Sequence, residues 1–495
     1  VSAQQLEEII VTAQRREQSL QEVPISLETF SGALLRQQGL REMNDLANFV
    51  PTVEIDWSMQ EQDISIRGYG STTANLSADQ AAPTFVDGIH FSRASMIRSA
   101  FMDLERVEVL RGPQPVYFGQ NATVGAFSLI TRKPGAEWEG DLSGEIGNYG
   151  RRTIEGGIGG PVSDTLGIRV AGKMDWMDGY MTDVVTLDKF PHRSDAAGRV
   201  TFVWTPNDNF EAEFKLGIAD TDTGTNGGAV CLTEPPEELS GEAADALLPG
   251  ATAFDDVARV HINNDCFSEL GLSQGPVYLA PISGITEDRA GIIDIRAAVT
   301  DLRGGRTSYD DSRAYDSYLN LTYRLDSGIE LSSLTGFIDY YRIYDRENGV
   351  SPAFMVNERT RSEDLTSWSQ EFRVSSPLGG MLEWMAGFYY QKEDLAIISD
   401  NSVAALRRPR RYNDITHDSE IISGFGSITF NFLDNRASID LGGRYTDAEK
   451  SAVWEGLGST WIFDIDPTAG TPSARWNCWN TNPIRWARSA ESSRS

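Results

Sequence analysis

Three sets of residues have the types and spacing for chemistry. Gly271-Leu272-Ser273-Gln274-Gly275 matches the G-x-S-x-G pattern that presents a serine nucleophile. That pattern works on a strained turn between a strand and a helix. Here Pro276 follows directly and the surroundings are polar and rich in glycine and proline, so the stretch reads as loop rather than as a hydrolase elbow. Glu105-Arg106 and Glu108-Arg111 set acids beside bases along a strand pattern, and Glu371 and Arg373 form a second such set. Charges alternating along strands suit ion pairing between packed elements better than acid–base catalysis, so the first set is expected to pair with Glu371 and Arg373 across an interface. Of the three cysteines, Cys231 and Cys266 share one polar insertion and Cys478 stands apart. In an oxidising compartment Cys231 and Cys266 can form a loop disulfide; the alternative is two unpaired thiols. No C-x-x-C or Cys/His cluster occurs and the four histidines are scattered, so no metal, cofactor or catalytic residue is assigned.

The elements that must position these groups are clearest from Leu104 to Pro134. Val107 and Val109 alternate with Arg106 and Glu108 as in a strand, and Gly112-Pro113 breaks it. Gly119 and Gly125 permit close turns before a second strand, Ala126 to Thr131, which Lys133-Pro134 ends. Upstream, helix-sized pieces run from Ser31 to Gly39 and from Met43 to Phe49, the second stopping just before Pro51. Thr52 to Asp56 is strand-like, and Asp63 to Gly70 contains Ile66-Arg67-Gly68-Tyr69-Gly70. Residues 71–82 are small and polar, a loop by composition; Thr84 to His90 carries Val86-Asp87-Gly88.

After Pro134 the pattern changes to long period-two strands. In Leu166–Trp176 the even positions are mostly apolar, while Arg169, Lys173 and Asp175 take the other face. Phe210–Ile218 opposes Phe214, Leu216 and Ile218 to Glu211, Glu213 and Lys215; the stretches around Leu319, Leu382 and Ile439 behave alike. Charge at successive positions of one face, with aromatic and aliphatic residues on the other, is the lumen-in, lipid-out arrangement of a transmembrane barrel. Short turns at 162–165, 206–209, 326–328, 378–380 and 433–435 alternate with longer connections, and about eleven strands are expected between Glu137 and Trp454. No run approaches the roughly eighteen apolar residues of a membrane helix, so a membrane-spanning form has to be a β-barrel. The net charge of −29 speaks against nucleic acid, whose phosphates require clustered Lys and Arg.

The stretch LERVEVLRGPQPVYFGQNATVGAFSLITRKP, with the I-R-G and V-D-G elements before it, resembles the plug domain of TonB-dependent outer-membrane receptors. It departs from that family's commonest wording at Pro115, Gln120, Val124 and Phe127. The resemblance implies a mainly β chain: a small α+β plug followed by antiparallel transmembrane barrel strands. It implies four parts, namely 1–20 with the TonB box, 21–135 as plug, 136–472 as partial barrel and 473–495 as an aberrant tail. Glu8, Ile9, Ile10, Val11, Thr12 and Ala13 would be the peptide that TonB grips by strand addition; the alternative is a first plug strand or a frayed terminus. Arg67, Gly68, Asp87, Gly88, Arg106, Arg111, Gly112, Pro113, Gly119, Asn121 and Gly125 would be structural residues of the plug. Tyr69, Ser71, Asn75, His90, Phe91 and Arg93 would be ligand contacts on apical turns, with ordinary loop or packing roles as the alternative.

The implied function is TonB-dependent import of a scarce nutrient such as a ferric siderophore, with cobalamin, haem or oligosaccharide as other ligands. The implied partners are TonB, the small-molecule ligand and outer-membrane lipid. A passive or structural barrel, or an outer-membrane enzyme built on Ser273, are the rival readings. Geometry bears on strand number. A twelve-stranded barrel has a radius of about 12 Å and a twenty-two-stranded one about 22 Å. A plug of about 130 residues needs an outer radius of roughly 18 Å. Eleven strands are therefore expected to be about half of a barrel. The unpatterned ending ARWNCWNTNPIRWARSAESSRS suggests a truncated or frame-shifted product, and VSAQQLEEII, lacking basic and apolar regions, suggests that a signal peptide is already absent.

Overall fold

The computed structural model describes residues 10–12, 15–16, 18–19, 23, 25–57, 62–71, 80–97, 100–119, 122–182, 189–224, 309–347, 357–403, 408–433, 436–458, 462–464 and 473–475. Glu8, Ile9, Ala13, Asn75, Asn121, Ser273 and all three cysteines lie outside them.

An α+β unit comes first. β1 (Ile10–Val11) pairs antiparallel with β2 (Gln18–Ser19). β3 (Ser26–Ser31) runs into α1 (Gly32–Gln38), whose Ser31 hydroxyl accepts from the Leu34 N–H and whose end is closed by left-handed Gly39. α2 (Met43–Ala47) follows, started by a reciprocal Glu42–Asp45 capping box. Then come β4 (Val53–Trp57), β5 (Gln62–Ile66), β6 (Tyr69–Gly70), β7 (Thr84–Val86), β8 (Ile89–Phe91), α3 (Ala94–Ile97), β9 (Leu104–Arg111) and β10 (Gly125–Thr131). β4, β5 and β6 form one small sheet; the other has the order β3-β9-β10-β7-β8, with β10 and β7 parallel. Val107, Val109, Phe127 and Leu129 turn to one side of it, and Phe85, Leu110 and Ala126 pack with Phe118 on the other.

The wall comes second: β11 (Glu139–Ile146), β12 (Arg152–Ser163), β13 (Leu166–Met177), the ribbon of β14 (Met181–Thr182) and β15 (Lys189–Phe190), β16 (Arg193–Asn207), β17 (Phe210–Gly224), β18 (Tyr309–Arg324), β19 (Glu330–Glu347), β20 (Asn357–Ser375), β21 (Leu382–Val403), β22 (Arg408–Phe432) and β23 (Ala437–Gly458). β24 (Ile462–Asp464) and β25 (Ser473–Arg475) pair with each other. Apart from β14 and β15, the strands from β11 to β23 form a single eleven-stranded sheet in chain order, every neighbour antiparallel. The alternation read from sequence is obeyed. Val170, Met174 and Trp176 are exposed while Arg169 and Asp175 are buried; Leu216 and Ile218 are exposed while Glu213 and Lys215 are buried. On β11 and β23, which have a neighbour on one side only, Leu142, Ile146, Leu441 and Tyr445 are all exposed.

One apolar core joins the two parts. Ile89, Phe91, Ile97 and Phe101 of the unit belong to the same cluster as Ala219, Ala314, Leu334, Ile338, Leu365 and Leu395 of the wall. Gly336 makes the close approach possible, because a Cβ there would lie 2.5 Å from Ile89 Cδ1 and 2.9 Å from Ile89 Cγ2. Ile89 is β-branched and stiff, so it cannot swing aside cheaply. Gly336→Val is therefore expected to loosen the unit from the wall by about 1–3 kcal/mol. Amide exchange should quicken in β7 and β8 but not in β16 to β22; unchanged protection at Ile89 would contradict this account.

Candidate functional site: the seam between the α+β unit and the wall

The seam is built where the unit's turns meet inward charges of the wall. Asp103 sits at φ +50, a left-handed conformation that turns its carboxylate outward from the unit. It forms a bidentate pair with Arg169 of β13, Nε to Oδ2 and Nη2 to Oδ1 both 2.6 Å, with both side chains buried. The adjoining carbonyls are used as well: Lys173 donates to Phe101 O at 2.8 Å and Arg199 to Met102 O at 2.9 Å. Three cations from neighbouring strands thus hold three consecutive residues. Toward α2, Glu42 meets Arg193 at 3.1 Å, and Arg193 also meets Asp175 at 3.2 Å.

A second node centres on the β7–β8 hairpin. Asp87 and Gly88, at φ +49 and +89, make the two-residue Asp-Gly turn that hairpins prefer. The Asp87 carboxylate accepts from Thr131 N at 2.9 Å and Thr131 Oγ1 at 2.8 Å, and pairs with Lys215 of β17 at 3.0 Å. Lys215 Nζ also meets Glu213 at 2.9 Å and stands 4.7 Å from the Tyr318 ring centre, while Lys133 closes the group at 2.8 Å from Glu213. Burial alone would push the Asp87 carboxyl up. Lys215, Arg199 and the Thr131 hydrogen bonds outweigh it and hold the group below the ordinary carboxylate range.

The N-terminal segment is tied to both parts. Thr12 N–H donates to Glu108 Oε1 at 2.9 Å, and Arg106 holds the same oxygen at 2.8 Å. Val11 is fully buried against Val23, Phe85, Leu110 and Phe118. The Arg15 guanidinium carbon lies 5.0 Å and 4.8 Å from the Phe85 and Phe118 ring centres, while its Nε donates to Tyr117 O and its Nη1 to Gly88 O. Burial lowers the Arg15 pKa from its ordinary value, and Glu371 partly offsets that. From the wall, Arg373 donates to Arg15 O at 2.6 Å, and Arg16 donates to Trp384 O.

Two expectations are corrected here. The acids and bases of β9 do not pair with Glu371 and Arg373: Arg106 pairs with Glu105 and Glu108, Arg111 with Glu28 at 3.4 Å, and Glu371 with Arg373 at 2.9 Å. Neighbours on the same strand or sheet are nearer to these charges than the charges of the wall. Phe91 and Arg93 are not apical either. Both are buried, because Phe91 faces the core opposite Thr84 and α3 begins directly after Arg93. Tyr69 is 73% exposed beyond the Arg67–Gly68 turn, and Ser71 Oγ accepts from Ala81 N. His90 lies against the Phe85 ring, 5.4 Å between centroids. Gly112 has φ +93 and precedes exposed Pro113, while Gly119 has φ +57, and a Cβ there would lie 2.5 Å from Arg444 Cζ, so the guanidinium would have to shift. Gly125 begins β10 opposite Arg111. Asp103, Arg15, Arg199 and Lys133 were missed. The inward charges at 169, 173, 213 and 215 were visible in the strand period, but their partners were not.

Asp87→Asn should lower the stability of the docked unit at neutral pH by about 3–5 kcal/mol, since Lys215 would then face a neutral amide. The sign of the pH effect follows from a lowered native pKa. Wild-type stability is fully present above the unfolded value of about 3.9 and is lost as pH falls through the lower native value. Urea midpoints followed from pH 7 to pH 3 should therefore fall more steeply for wild type than for the variant; parallel curves would count against the pairing. Arg15→Ala should free residues 10–12 without unfolding the sheet, seen as a more mobile spin label at position 12; an unchanged spectrum would show that Thr12–Glu108 suffices.

Residues 19–126 match the family model described as TonB-dependent Receptor Plug Domain. The iron-regulated outer membrane virulence protein of Vibrio cholerae serotype O1 is 28% identical over 184 residues, 35% of this chain and 28% of that protein. The hemin receptor of Yersinia enterocolitica is 27% identical over 180 residues, 35% of this chain and 24% of that one. Among solved structures, the ferric yersiniabactin uptake receptor of Yersinia pestis superposes with a TM-score of 0.66 at 17% identity, covering 92% of this chain and 60% of that one. The ferripyoverdine receptor of Pseudomonas aeruginosa bound to ferripyoverdine gives 0.63 at 13% identity, covering 92% and 59%. The chain spans less than two thirds of each of these proteins. Residues 19–126 are thus a plug domain of the TonB-dependent receptor type, and the fold of the chain as a whole is that of a plug, the α+β unit, with part of a barrel, the eleven-stranded wall.

Proposed function

We propose that the chain serves ligand-gated import of an iron complex, a ferric siderophore in the first instance, across the outer membrane of a Gram-negative bacterium. No bond chemistry is involved. The observation that carries the reading is the double attachment of the N-terminal segment, to Glu108 within the plug and to Arg373 and Trp384 of the wall. A segment held in this way is available to a partner only after its contacts are exchanged. Glu8 to Ala13 would then pair with TonB by strand addition, the backbone supplying the grip. Tyr69, Ser71, Asn75 and His90 are the proposed plug contacts to ligand, with the outer connections of the wall completing the site.

The energetics require work from outside. Each hydrogen bond of the segment to or from a charged group contributes about 1.5–3 kcal/mol, whereas separating a buried pair such as Asp103–Arg169 costs about 3–5 kcal/mol. The seam therefore stays closed in thermal equilibrium, and a pull driven by the inner-membrane proton gradient would open it. Haem is the second ligand reading, supported by the hemin receptor among the relatives.

Uptake of radioactive iron supplied as a ferric siderophore, by cells whose own receptors are deleted and which express the protein containing this chain, tests the proposal. Deleting residues 7–13, or collapsing the proton gradient, should each reduce uptake to background. Uptake that survives both treatments would instead indicate a passive barrel.

A further inference from the structure

The outward face of the wall carries a groove of about 620 Å³ near its short turns, lined by Phe210, Leu321, Tyr323, Leu331, Phe372 and Phe388. That volume falls within the roughly 300–1,000 Å³ of small-molecule sites. Its shape follows from register. One outward row runs Phe210–Tyr323–Leu331–Val374–Ala386 and the next Ala212–Leu321–Ser333–Phe372–Phe388. Small residues at 212, 333 and 386 leave the floor open between aromatic and aliphatic walls.

The floor is not wholly apolar. Ser333 Oγ accepts from Gln370 Nε2 at 3.0 Å, and Gln370 Oε1 accepts from Thr335 Oγ1 at 2.6 Å. All three point outward, toward the side where Phe337 and Trp368 are exposed. Polar side chains on a lipid-facing surface are costly unless hydrogen-bonded, and these three bond to one another. Within this triad Ser333 acts as acceptor, so its own hydroxyl proton remains to be donated into the groove.

The mouth has a charge. The two turns beside it, 206–209 and 324–330, carry Asp208, Asp326 and Glu330 against Arg324 alone, a net of −2 from three acids and one base. Arg324 is already engaged by Glu330 at 3.1 Å, and Asn209 bridges the turns by donating to Asp326 at 3.4 Å. Exposed Asp208 and Asp326 thus sit on the turns at the end of the groove, two residues before Phe210 and three after Tyr323, both of which line it. Strands rise about 3.3 Å per residue and tilt about 40°, so Ser333 lies roughly 8–10 Å inside that rim.

We propose that this groove is a specific site for a phospholipid with an ethanolamine headgroup, taken from the leaflet on the short-turn side. Its ammonium would meet Asp208 and Asp326, an ester carbonyl would accept from Ser333, and acyl chain would fill the space between Phe210, Leu321, Phe372 and Phe388. An anionic headgroup is disfavoured by the same carboxylates. The inference rests on the membrane reading of the wall, and the test separates the two.

The purified chain is first mixed with phosphatidylethanolamine vesicles and floated, then moved into dodecyl maltoside and offered equal amounts of phosphatidylethanolamine and phosphatidylglycerol, with adducts counted by native mass spectrometry. Phosphatidylethanolamine should be retained over phosphatidylglycerol. The double variant Asp208→Asn/Asp326→Asn, confined to turns, should reduce that retention about tenfold, the equivalent of one charged contact. Ser333→Leu, which fills the floor, should abolish it. A chain that floats but retains both lipids equally, indifferent to the rim variant, overturns the lipid site alone. A chain that does not float overturns the membrane reading and the lipid site together.

Discussion

The inward face of the wall carries charges that bulk water does not reach, and the plug supplies their counterions. Lys215, Arg169 and Glu213 are each almost wholly buried. A buried ion without a partner is worth several kcal/mol of instability, and a buried pair with excellent geometry roughly breaks even. The wall could therefore not keep this face in a dry lumen without Asp103, Asp87 and Lys133 opposite it. The same charges would be harmless in a water-filled pore. Their presence marks a lumen that is meant to be occupied.

Position and strength in the seam are separated. Apolar packing at Gly336 and Ile89 brings plug and wall into contact over a broad area but does little to fix register, since apolar contact is non-directional. The bidentate Asp103–Arg169 pair and the Asp87–Lys215–Thr131 group supply direction. Two of the acids, at 87 and 103, sit in left-handed backbone that carries a small conformational cost. That cost is tolerable because the turn delivers a carboxylate past the edge of the plug, which the flat face of a strand cannot do. The alternating charges of β9 illustrate the limit: they reach each other, Glu28 and Thr12 of the N-terminal segment, all within the plug.

This contrast also explains what could be read before any coordinates. The α1 caps at Ser31 and Gly39, the β9–β10 frame of Leu104–Pro134 and the eleven alternating strands are encoded by neighbours in sequence, so local pattern suffices. Period two likewise told which of residues 169, 173, 213 and 215 turn inward. It could not tell what they meet in the plug, because those contacts join residues 66 or more positions apart, and Arg15 meets Arg373 across 358. Phe91 and Arg93 were misplaced for a related reason. The hairpin end was assumed to lie at the surface, yet the pairing of Phe91 with Thr84 sets its ring on the core side.

In the proposed import cycle these strengths impose an order. Thr12, Arg15 and Arg16 contribute charge-assisted hydrogen bonds of about 1.5–3 kcal/mol each and ring contacts of about 1 kcal/mol, and two of the bonds lie at the short-turn ends of β20 and β21. The ion pairs deeper in the seam cost more to separate, about 3–5 kcal/mol each. A force applied at residues 8–13 would then peel the segment before it strains Asp87 or Asp103, because the weak contacts are loaded first and singly. Gly88 is where the two regimes meet: its carbonyl accepts from Arg15, while its neighbour Asp87 holds Lys215. Loss of Arg15 from Gly88 and Phe85 would remove the support on one side of the hairpin whose other side carries the strongest polar node. The β7–β8 turn is thus the place where release of a peptide can become movement of the plug.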